Sequence, residues 1–499
     1  MPEHLRALVV VLGLCSMTWW SVQPAITQAS TTQAARQWRN LWFGLTVAAF
    51  LVGNFWLYAG LAAAWLLIQR FTPVRALSAY CLLLIVVPAA SIEIPGFGLI
   101  NYFFTLDQPR LLALVLLAPA ALALWRQPGS LRLGSTWADK CLMGYLLLTA
   151  ALQLRENNVT STLRGCFYLM TDMFLPYYVA SRAVRRLQDF KLVMAAYVMA
   201  VSLLGLVAVF ELLRHWKLYT AMTGALGLNW GYGNYLGRDG LLRAAASAGH
   251  PIVLGYVMTV GLGCWLYLRG EKKLTLRSSA PMLLMGAGLL ATLSRGPWVG
   301  AVAMVLAFVF TGRSGMRKVL HLVLAGAAAL AAMATLGIGQ RVLNLLPFIG
   351  QTEAGNVEYR QRLIDNALIV IERNFWLGST NYRQTPEMQA MIQGEGIIDI
   401  VNTYISVALN YGVIGLALFV GFFASILWSL WRKQAHLTTN DERRTLGRSL
   451  LATLVGIAVI ITTVGSTVVV PHIYWLTGGL GMAWLTMLKR GLDAPARLP

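Results

Sequence analysis

Residues 192–210 read LVMAAYVMAVSLLGLVAVF, nineteen consecutive positions without a charged side chain. A helix of roughly 20 apolar residues crosses the hydrocarbon core of a bilayer, which is about 30 Å thick. The stretch therefore predicts a transmembrane helix, extending over residues 190–212.

The same kind of apolar run recurs along the whole chain. Of its 499 residues 57% are hydrophobic and 12% charged, whereas a soluble domain carries about 25% charged residues. We predict an all-α polytopic membrane protein of about 14 transmembrane helices, in which residues 43–68 could also form a hairpin split near Gly53-Asn54. The runs lie near residues 6–22, 43–68, 76–92, 109–125, 136–154, 163–181, 190–212, 249–268, 279–293, 297–312, 318–336, 404–430, 449–467 and 470–488.

Loop charges predict how these helices are oriented. The net charge of +20 reflects basic residues in alternate loops, and such loops face the cytoplasm. No basic soluble module with interleaved aromatic residues is evident, which excludes nucleic acid as a partner. We expect both termini in the cytoplasm and two long segments, 214–248 and 337–403, outside. The basic loops are at 70–75, 126–140, 182–191, 269–277, 313–318 and 432–448.

The chain then divides into four parts. These are N-terminal transmembrane helices (1–213), further helices with the outward loop (214–336), an outward loop or lid (337–403) and C-terminal transmembrane helices (404–499). Within the lid, residues 358–373 have apolar positions at helical spacing, with charged residues on the opposite face. They predict an amphipathic helix that could lie on the outer membrane surface. Its apolar positions are Leu363, Ile364, Ala367, Leu368 and Ile371.

Five arginines fall on the outward side, against the usual charge bias. Their guanidinium groups offer planar donors that suit phosphate oxygens, and a lipid-linked diphosphate would lie within their reach at the membrane surface. The alternative is that they are solvated or form ordinary helix pairs, as Glu358 and Arg362 could. The five are Arg238, Arg243, Arg295, Arg360 and Arg362.

Three outward groups could accept a proton. His250 precedes a helix that begins at Pro251, where the positive helix end disfavours its charged form. Asp399 and Glu395 precede the helix of residues 404–430, and either could act as a general base, cap the helix or pair with an arginine. Asn402 and Tyr404 follow, as groups that support the acceptor or the local structure.

We expect no cofactor, because the sequence has no phosphate-binding loop, serine-hydrolase motif or metal-ligand cluster outside the membrane. Asp172 lies within an apolar run and suggests a second hypothesis, a lipid-linked glycan transporter with a polar path through the bilayer. A third is a non-catalytic membrane protein of an assembly complex.

Several short motifs occur in the order typical of one family. The chain resembles the O-antigen ligases and polysaccharide polymerases of bacterial inner membranes. A histidine usually precedes the final asparagine in the ligases, whereas Asp399 and Val401 stand here, which leaves a polymerase ahead of a ligase. The motifs are RAAASAGHP (243–251), Ser294-Arg295-Gly296, RLIDNAL (362–368), NFWLG (374–378) and NTYISVALNYGVIGL (402–416).

The resemblance implies a GT-C-like membrane fold and an inverting, metal-independent glycosyltransferase. Its donor would be a glycan on undecaprenyl diphosphate, and its acceptor a polysaccharide repeat unit, or lipid A-core for a ligase. Arg243, Arg295 and Arg362 would bind the diphosphate, and Asp399, His250 or Glu395 would take the acceptor proton. The implied partners are the lipid bilayer and other polysaccharide assembly proteins, at an inner membrane with the site facing the periplasm.

Overall fold

A computed structural model describes residues 1–27, 29–98, 101–129, 131–155, 159–228, 235–238, 240–270, 276–335, 354–392 and 398–491. The protein is mainly helical. Its helices are α1 (Glu3–Ile26), α2 (Thr32–Leu51), α3 (Phe55–Ile68), α4 (Pro73–Leu83), α5 (Gln108–Leu112), α6 (Ala118–Arg126), α7 (Trp137–Gln153), α8 (Val159–Leu169), α9 (Leu175–Ala183), α10 (Leu187–Arg214), α11 (Thr220–Ala225), α12 (Pro251–Leu268), α13 (Leu276–Ala291), α14 (Arg295–Phe310), α15 (Gly315–Thr335), α16 (Ala354–Arg373), α17 (Pro386–Gln389), α18 (Thr403–Ala435), α19 (Glu442–Ile460) and α20 (Val470–Lys489).

Short segments of other structure connect these helices. The turns Ala113–Leu117 and Met170–Phe174 are π-helical and join α5 to α6 and α8 to α9. Two antiparallel hairpins occur in the described part of the chain, β1 (Ile92–Pro95) with β2 (Tyr102–Leu106), and β3 (Gly237–Arg238) with β4 (Leu241–Leu242).

Most apolar runs of the sequence coincide with helices, whereas the run at 76–92 is helical only to Leu83 and leads into β1, and the run at 449–467 is helical only to Ile460. Five helical stretches in the described residues are long and apolar enough to cross a membrane. This supports an all-α integral membrane protein, while the count of 14 crossings stays a prediction. The five are Glu3–Ile26, Gln108–Arg126, Leu187–Arg214, Pro251–Leu268 and Thr403–Ala435.

Helix α10 forms the centre of the bundle. Of its most apolar 18-residue window 83% is buried, and it contacts α1, α4, α12 and α13. Its two ends define the two ends of the molecule. We call the end at Lys191 the basic end and the end at Trp216 the loop end.

The N-terminal helix runs in the direction opposite to α10. Trp216 Nε1 donates a hydrogen bond of 3.0 Å to the Glu3 carboxylate, so α1 begins at the loop end. Ala29, just past α1, lines a cavity with Lys191 at the basic end. The tail of α20 also lies at the basic end, where Arg490 shares a pocket with Arg185.

This arrangement does not fit the expectation that both termini face the cytoplasm. The physical reason lies in residues 43–68, which the prediction of both termini in the cytoplasm counts as one transmembrane helix. Gly53 has φ +64° and Asn54 caps α3 through its side chain, so α2 and α3 are separate antiparallel helices. The additional helix is consistent with Glu3 and Arg490 lying at opposite ends of the bundle, and the side of the membrane that each terminus faces stays a prediction.

The lid has a small hydrophobic core of its own. Helix α16 buries Leu363, Ala367 and Val370, each at most 1% exposed, against residues that include Ile400 and Leu409 next to or within α18. The prediction of a helix here is confirmed. Val370 joins the buried side, whereas Ile364 and Leu368 of the predicted apolar face are exposed, and the contact of that face with the membrane stays a prediction.

The turn after α16 docks into a break in α18, and we call residues 374–379 the lid turn. Gly412 has φ +65° and ψ −168°, which interrupts the helix. Val413 N therefore donates to Phe375 O at 2.8 Å, and Leu409 O accepts from Ser379 N at 2.9 Å. The lid turn thus supplies backbone hydrogen bonds that a continuous helix would make within itself.

Candidate functional site

The turn between α13 and α14 gathers two of the outward arginines. Leu293 adopts a left-handed conformation with φ +47°, which turns the carbonyl groups of this segment outward. Arg243 donates to Ser294 Oγ at 3.0 Å and to Thr292 O at 3.4 Å. Arg238 donates to Leu293 O and is only 8% exposed. Both guanidinium groups are therefore held at this turn.

The β3–β4 hairpin explains why these two arginines arrive together. Arg238 lies on β3, and Arg243 directly follows β4, with its amide donating to Leu236 O at 2.9 Å. The next residue, Ala244, donates to Ala291 O at 3.1 Å at the end of α13. The hairpin is thus attached to the turn by backbone as well as side-chain hydrogen bonds.

Arg295 is the first residue of α14 and follows Ser294 in the chain. Helix α12 begins beside it, because Gly255 of α12 packs so closely against Pro297 of α14 that no side chain would fit between them. Two helix N-termini and three arginine residues therefore meet at one place. Helix N-termini carry a partial positive charge and unpaired N–H groups, so this is a favourable place for an anion.

His250 caps α12, as its position before Pro251 suggested. Its Nδ1 accepts a hydrogen bond of 3.2 Å from Ile252 N. Burial, together with the charges of Arg243 and Lys217, lowers the pKa of His250 from 6.5 to about 4. The ring is consequently neutral at pH 7. A group with so low a pKa is a weak general base, so a hydrogen-bonding role suits it better.

Two further charged residues belong to this site and were not singled out from the sequence. The Glu211 carboxylate accepts from the amides of Ala245 at 3.0 Å, Ala246 at 2.8 Å and Leu218 at 3.1 Å. Lys217 is 4% exposed, and its pKa is lowered chiefly by burial, against the opposing effect of Glu211. The sequence signal that could have identified Glu211 is its position as a lone acid at the loop end of α10, which is otherwise apolar there.

Asp399 is connected to the surroundings of Arg295 through the loop that follows α19. Thr463, past the end of α19, packs on Gly296 beside Arg295, where no side chain would fit. Two residues on, Gly465 lies against the carbonyl of Ile400, the residue after Asp399. Asp399 is exposed, and its carbonyl accepts from Tyr359 OH of α16 at 3.1 Å.

The lid arginines are placed differently from the other three. The Arg362 side chain is 62% exposed, and its Nε lies 3.9 Å from Glu358 Oε1, the helix pair considered from the sequence. Arg360 is half-buried on α16. The contacts described for Arg362 are thus on the lid and not at the α13–α14 turn.

Asn402 and Tyr404 have structural partners. Asn402 Oδ1 caps α18 by accepting from Tyr404 N at 2.9 Å and Ile405 N at 3.2 Å. Tyr404 OH donates to Ala458 O of α19 at 3.1 Å. Glu395 lies outside the described residues.

Asp172 forms part of a separate polar network. Arg110 donates to both its carboxylate oxygens, at 2.9 Å from Nη2 to Oδ2 and 3.1 Å from Nε to Oδ1. His472 Nε2 lies 3.8 Å from Asp172 Oδ1, and its Nδ1 shares a hydrogen bond of 3.0 Å with Tyr80 OH. The positive charge of the Arg110 guanidinium therefore compensates the negative charge of the Asp172 carboxylate.

Comparison with known proteins supports the resemblance seen in the sequence. Residues 280–420 match the family model described as O-Antigen ligase. The matched stretch runs from α13 into α18 and includes Arg295, the lid, Asp399 and the lid turn. No curated protein matches the chain significantly. The match supports an enzyme of the O-antigen ligase or polymerase type in a membrane.

Proposed function

Since the chain belongs to the superfamily of O-antigen ligases and polysaccharide polymerases, we propose that it transfers a glycan from undecaprenyl diphosphate to the sugar end of another lipid-linked repeat unit. The site lies at the loop end, which faces the periplasm in this proposal. The observation that carries it is the meeting of Arg238, Arg243 and Arg295 with two helix N-termini.

The proposed reaction is a displacement at the anomeric carbon. The acceptor hydroxyl forms the new C–O bond as the bond to the diphosphate oxygen breaks, and the electron pair leaves with the diphosphate. The arginines neutralise the charge that develops there, where preorganised donors are most effective. Asp399 takes the acceptor proton, in preference to His250 with its pKa of about 4. Arg360 and Arg362 contact the donor when the lid engages it.

Two kinds of arginine substitution test this proposal. Arg243→Ala and Arg295→Ala are expected to reduce glycan extension by about 100-fold or more, since removing one such donor has effects of that order. Lysine at the same positions should retain part of the activity, because it keeps the charge but not the planar donors. Membrane fractionation and blotting confirm that each variant inserts.

Arg317→Ala is the matched control, because Arg317 is an exposed arginine in the first turn of α15, beyond the other end of α14. It should extend glycans at the normal rate. If Arg243→Ala and Arg295→Ala are equally active, the proposed role of the site is wrong.

The ligase alternative is kept because the matched family model carries that description. The surface glycans of a strain lacking the protein separate the two activities. Loss of long chains with single repeats retained indicates a polymerase. Bare lipid A-core with accumulating lipid-linked polymer indicates a ligase.

A further inference from the structure

The lid helix has a wider apolar face than the protein covers. Leu363, Ala367 and Val370 are buried, whereas Ile364 is 42% and Leu368 51% exposed. These exposed side chains border the buried ones around the helix, with the half-buried Arg360 between them, and the other charged residues of α16 lie on the remaining arc. An apolar surface that continues from the protein contact therefore remains uncovered by the residues that the structure describes.

The exposed face continues past the end of α16. Ile364 and Leu368 are four residues apart on one side of α16, and Phe375, which is 44% exposed, follows in the lid turn. The rings of Phe375 and Trp376 contact each other edge to face, with their centroids 5.0 Å apart. Trp376 is 65% exposed. We call Ile364, Leu368, Phe375 and Trp376 the lid stripe.

The depth of the lid turn indicates what covers the stripe. It is bonded to α18 at Gly412, nine residues after the helix begins at Thr403, a distance of about 14 Å at 1.5 Å per residue. Thr403 N donates to Ile461 O just past α19, so α18 begins level with the loop end of its neighbour. Arg155 Nη1 donates to Leu377 O at 3.3 Å and to Gly378 O at 3.2 Å, so the turn lies where a polar group reaches it, toward the outer boundary of the span.

The helix that receives the turn already presents an apolar surface. Only 33% of the most apolar window of α18 is buried within the protein, so much of this helix, which is long and apolar enough to cross a membrane, is available for contact with lipid. The lid stripe adjoins that surface at Phe375 and Trp376. Aromatic side chains at such a level are typical of the boundary between lipid and water.

We propose that the lid stripe is immersed in the outer leaflet of the bilayer, so that α16 lies along the membrane surface with lipid acyl chains against Ile364, Leu368 and Trp376. The contact is with lipid and needs no second protein. Where the proposed glycan transfer also holds, the lid meets a lipid-borne donor without the donor leaving the leaflet.

Fluorescent labelling at matched positions tests the proposal. The full-length protein with Cys166→Ser, which removes the one native cysteine that is not buried, receives Leu368→Cys, Trp376→Cys or, as control, Asp365→Cys on the polar face of the same helix. Each is labelled with an environment-sensitive dye and placed in nanodiscs of phosphatidylethanolamine and phosphatidylglycerol, with or without nitroxide-labelled lipids.

At positions 368 and 376 we expect blue-shifted emission and quenching by the nitroxide lipids at least threefold stronger than at position 365. Equal emission and equal quenching at all three positions would overturn the proposal. Neither readout involves glycan transfer. The membrane contact of the lid stripe and the proposed glycan transfer can therefore each be contradicted without affecting the other.

A second measurement avoids substitutions that could disturb folding. The unmodified protein in the same nanodiscs is treated with a lipid-soluble or a water-soluble photoreactive carbene, and the labelled peptides are identified by mass spectrometry. The lipid-soluble reagent should modify residues 364–376 preferentially. Preferential modification of that segment by the water-soluble reagent contradicts the proposal.

Discussion

Glu211 organises the candidate site although it is not expected to touch a substrate. It accepts three backbone hydrogen bonds from segments that flank Arg243 and Lys217. One of these amides belongs to Ala246, a non-glycine residue with φ +44°. The carboxylate therefore offsets the cost of an unfavourable backbone conformation.

Replacing Glu211 by glutamine should disturb the site and the fold together. The amide side chain keeps the shape but loses charge-assisted bonds, and we expect a loss of about 1–3 kcal/mol in stability with a reduced rate of glycan extension. Thermal unfolding in detergent and a glycan assay measure the two effects. Glu93→Gln, at an exposed glutamate, is the control; equal unfolding temperatures for both variants contradict the assigned role.

His250 makes the stability of the protein depend on pH in a defined direction. Its folded-state pKa of about 4 lies below the ordinary 6.5, so the unfolded chain binds the proton first as the pH falls. The neutral ring contributes stability above pH 6.5, and that contribution is lost between pH 6.5 and pH 4, on the order of 2–3 kcal/mol in total.

His250→Asn isolates this effect, because asparagine also caps helices but does not titrate. The unfolding temperature of the variant should fall less than that of the unaltered protein between pH 7 and pH 4.5. Parallel curves would mean that His250 does not titrate as described.

The sequence predicted some of these residues and not others for a physical reason. Arg238, Arg243 and Arg295 stand out because positive charge on the outward side opposes a general bias. Glu211 acts on amides 34 and 35 residues away. Such a pairing depends on the folded path of the loop and has no local signal.

At the scale of elements, the docked lid turn depends on two glycines. Gly378 has φ +63° and lies against the backbone of Leu409, and Gly412 lies against the backbone of Trp376. A side chain at either position would meet backbone atoms that cannot move independently. Apolar periodicity predicted α16 and α18, but the break in α18 requires partners from the lid turn.

Gly412→Ala should therefore detach the lid turn. We expect a loss of several kcal/mol, from an unfavourable φ and lost backbone bonds, seen as faster proteolysis within residues 354–392. Gly421→Ala is the matched control in the same helix, since its new methyl group would meet only Cys141 Sγ at 3.4 Å. Equal proteolysis of both variants would show that the docked turn does not depend on Gly412.

At the scale of the whole molecule, the split of residues 43–68 changes the expected orientation. It places Arg36 and Arg39 at the basic end, since Gln37 Nε2 donates to Gln69 Oε1 beside Arg70. Their charges then agree better with the positive-inside rule. Loop charges alone could not decide this, because the short break at Gly53 carries no charge.

Cysteine labelling in intact cells checks the orientation. With Cys166→Ser as background, Glu3→Cys should react with a membrane-impermeant maleimide from the periplasmic side, whereas Arg39→Cys should react only after the membrane is opened. Both native residues are exposed in the structure, so access is not limited by folding. Labelling of Arg39→Cys in intact cells would contradict the described direction of α1 and α2.

The bonds between the lid turn and α18 also bear on how the protein is made. Without residues 374–379, α18 would enter the bilayer with the amide of Val413 and the carbonyl of Leu409 unpaired, and each costs several kcal/mol in hydrocarbon. The lid turn leaves the ribosome before α18 and is available when that helix inserts. We therefore expect truncation of the lid to impair insertion of the helix that follows it.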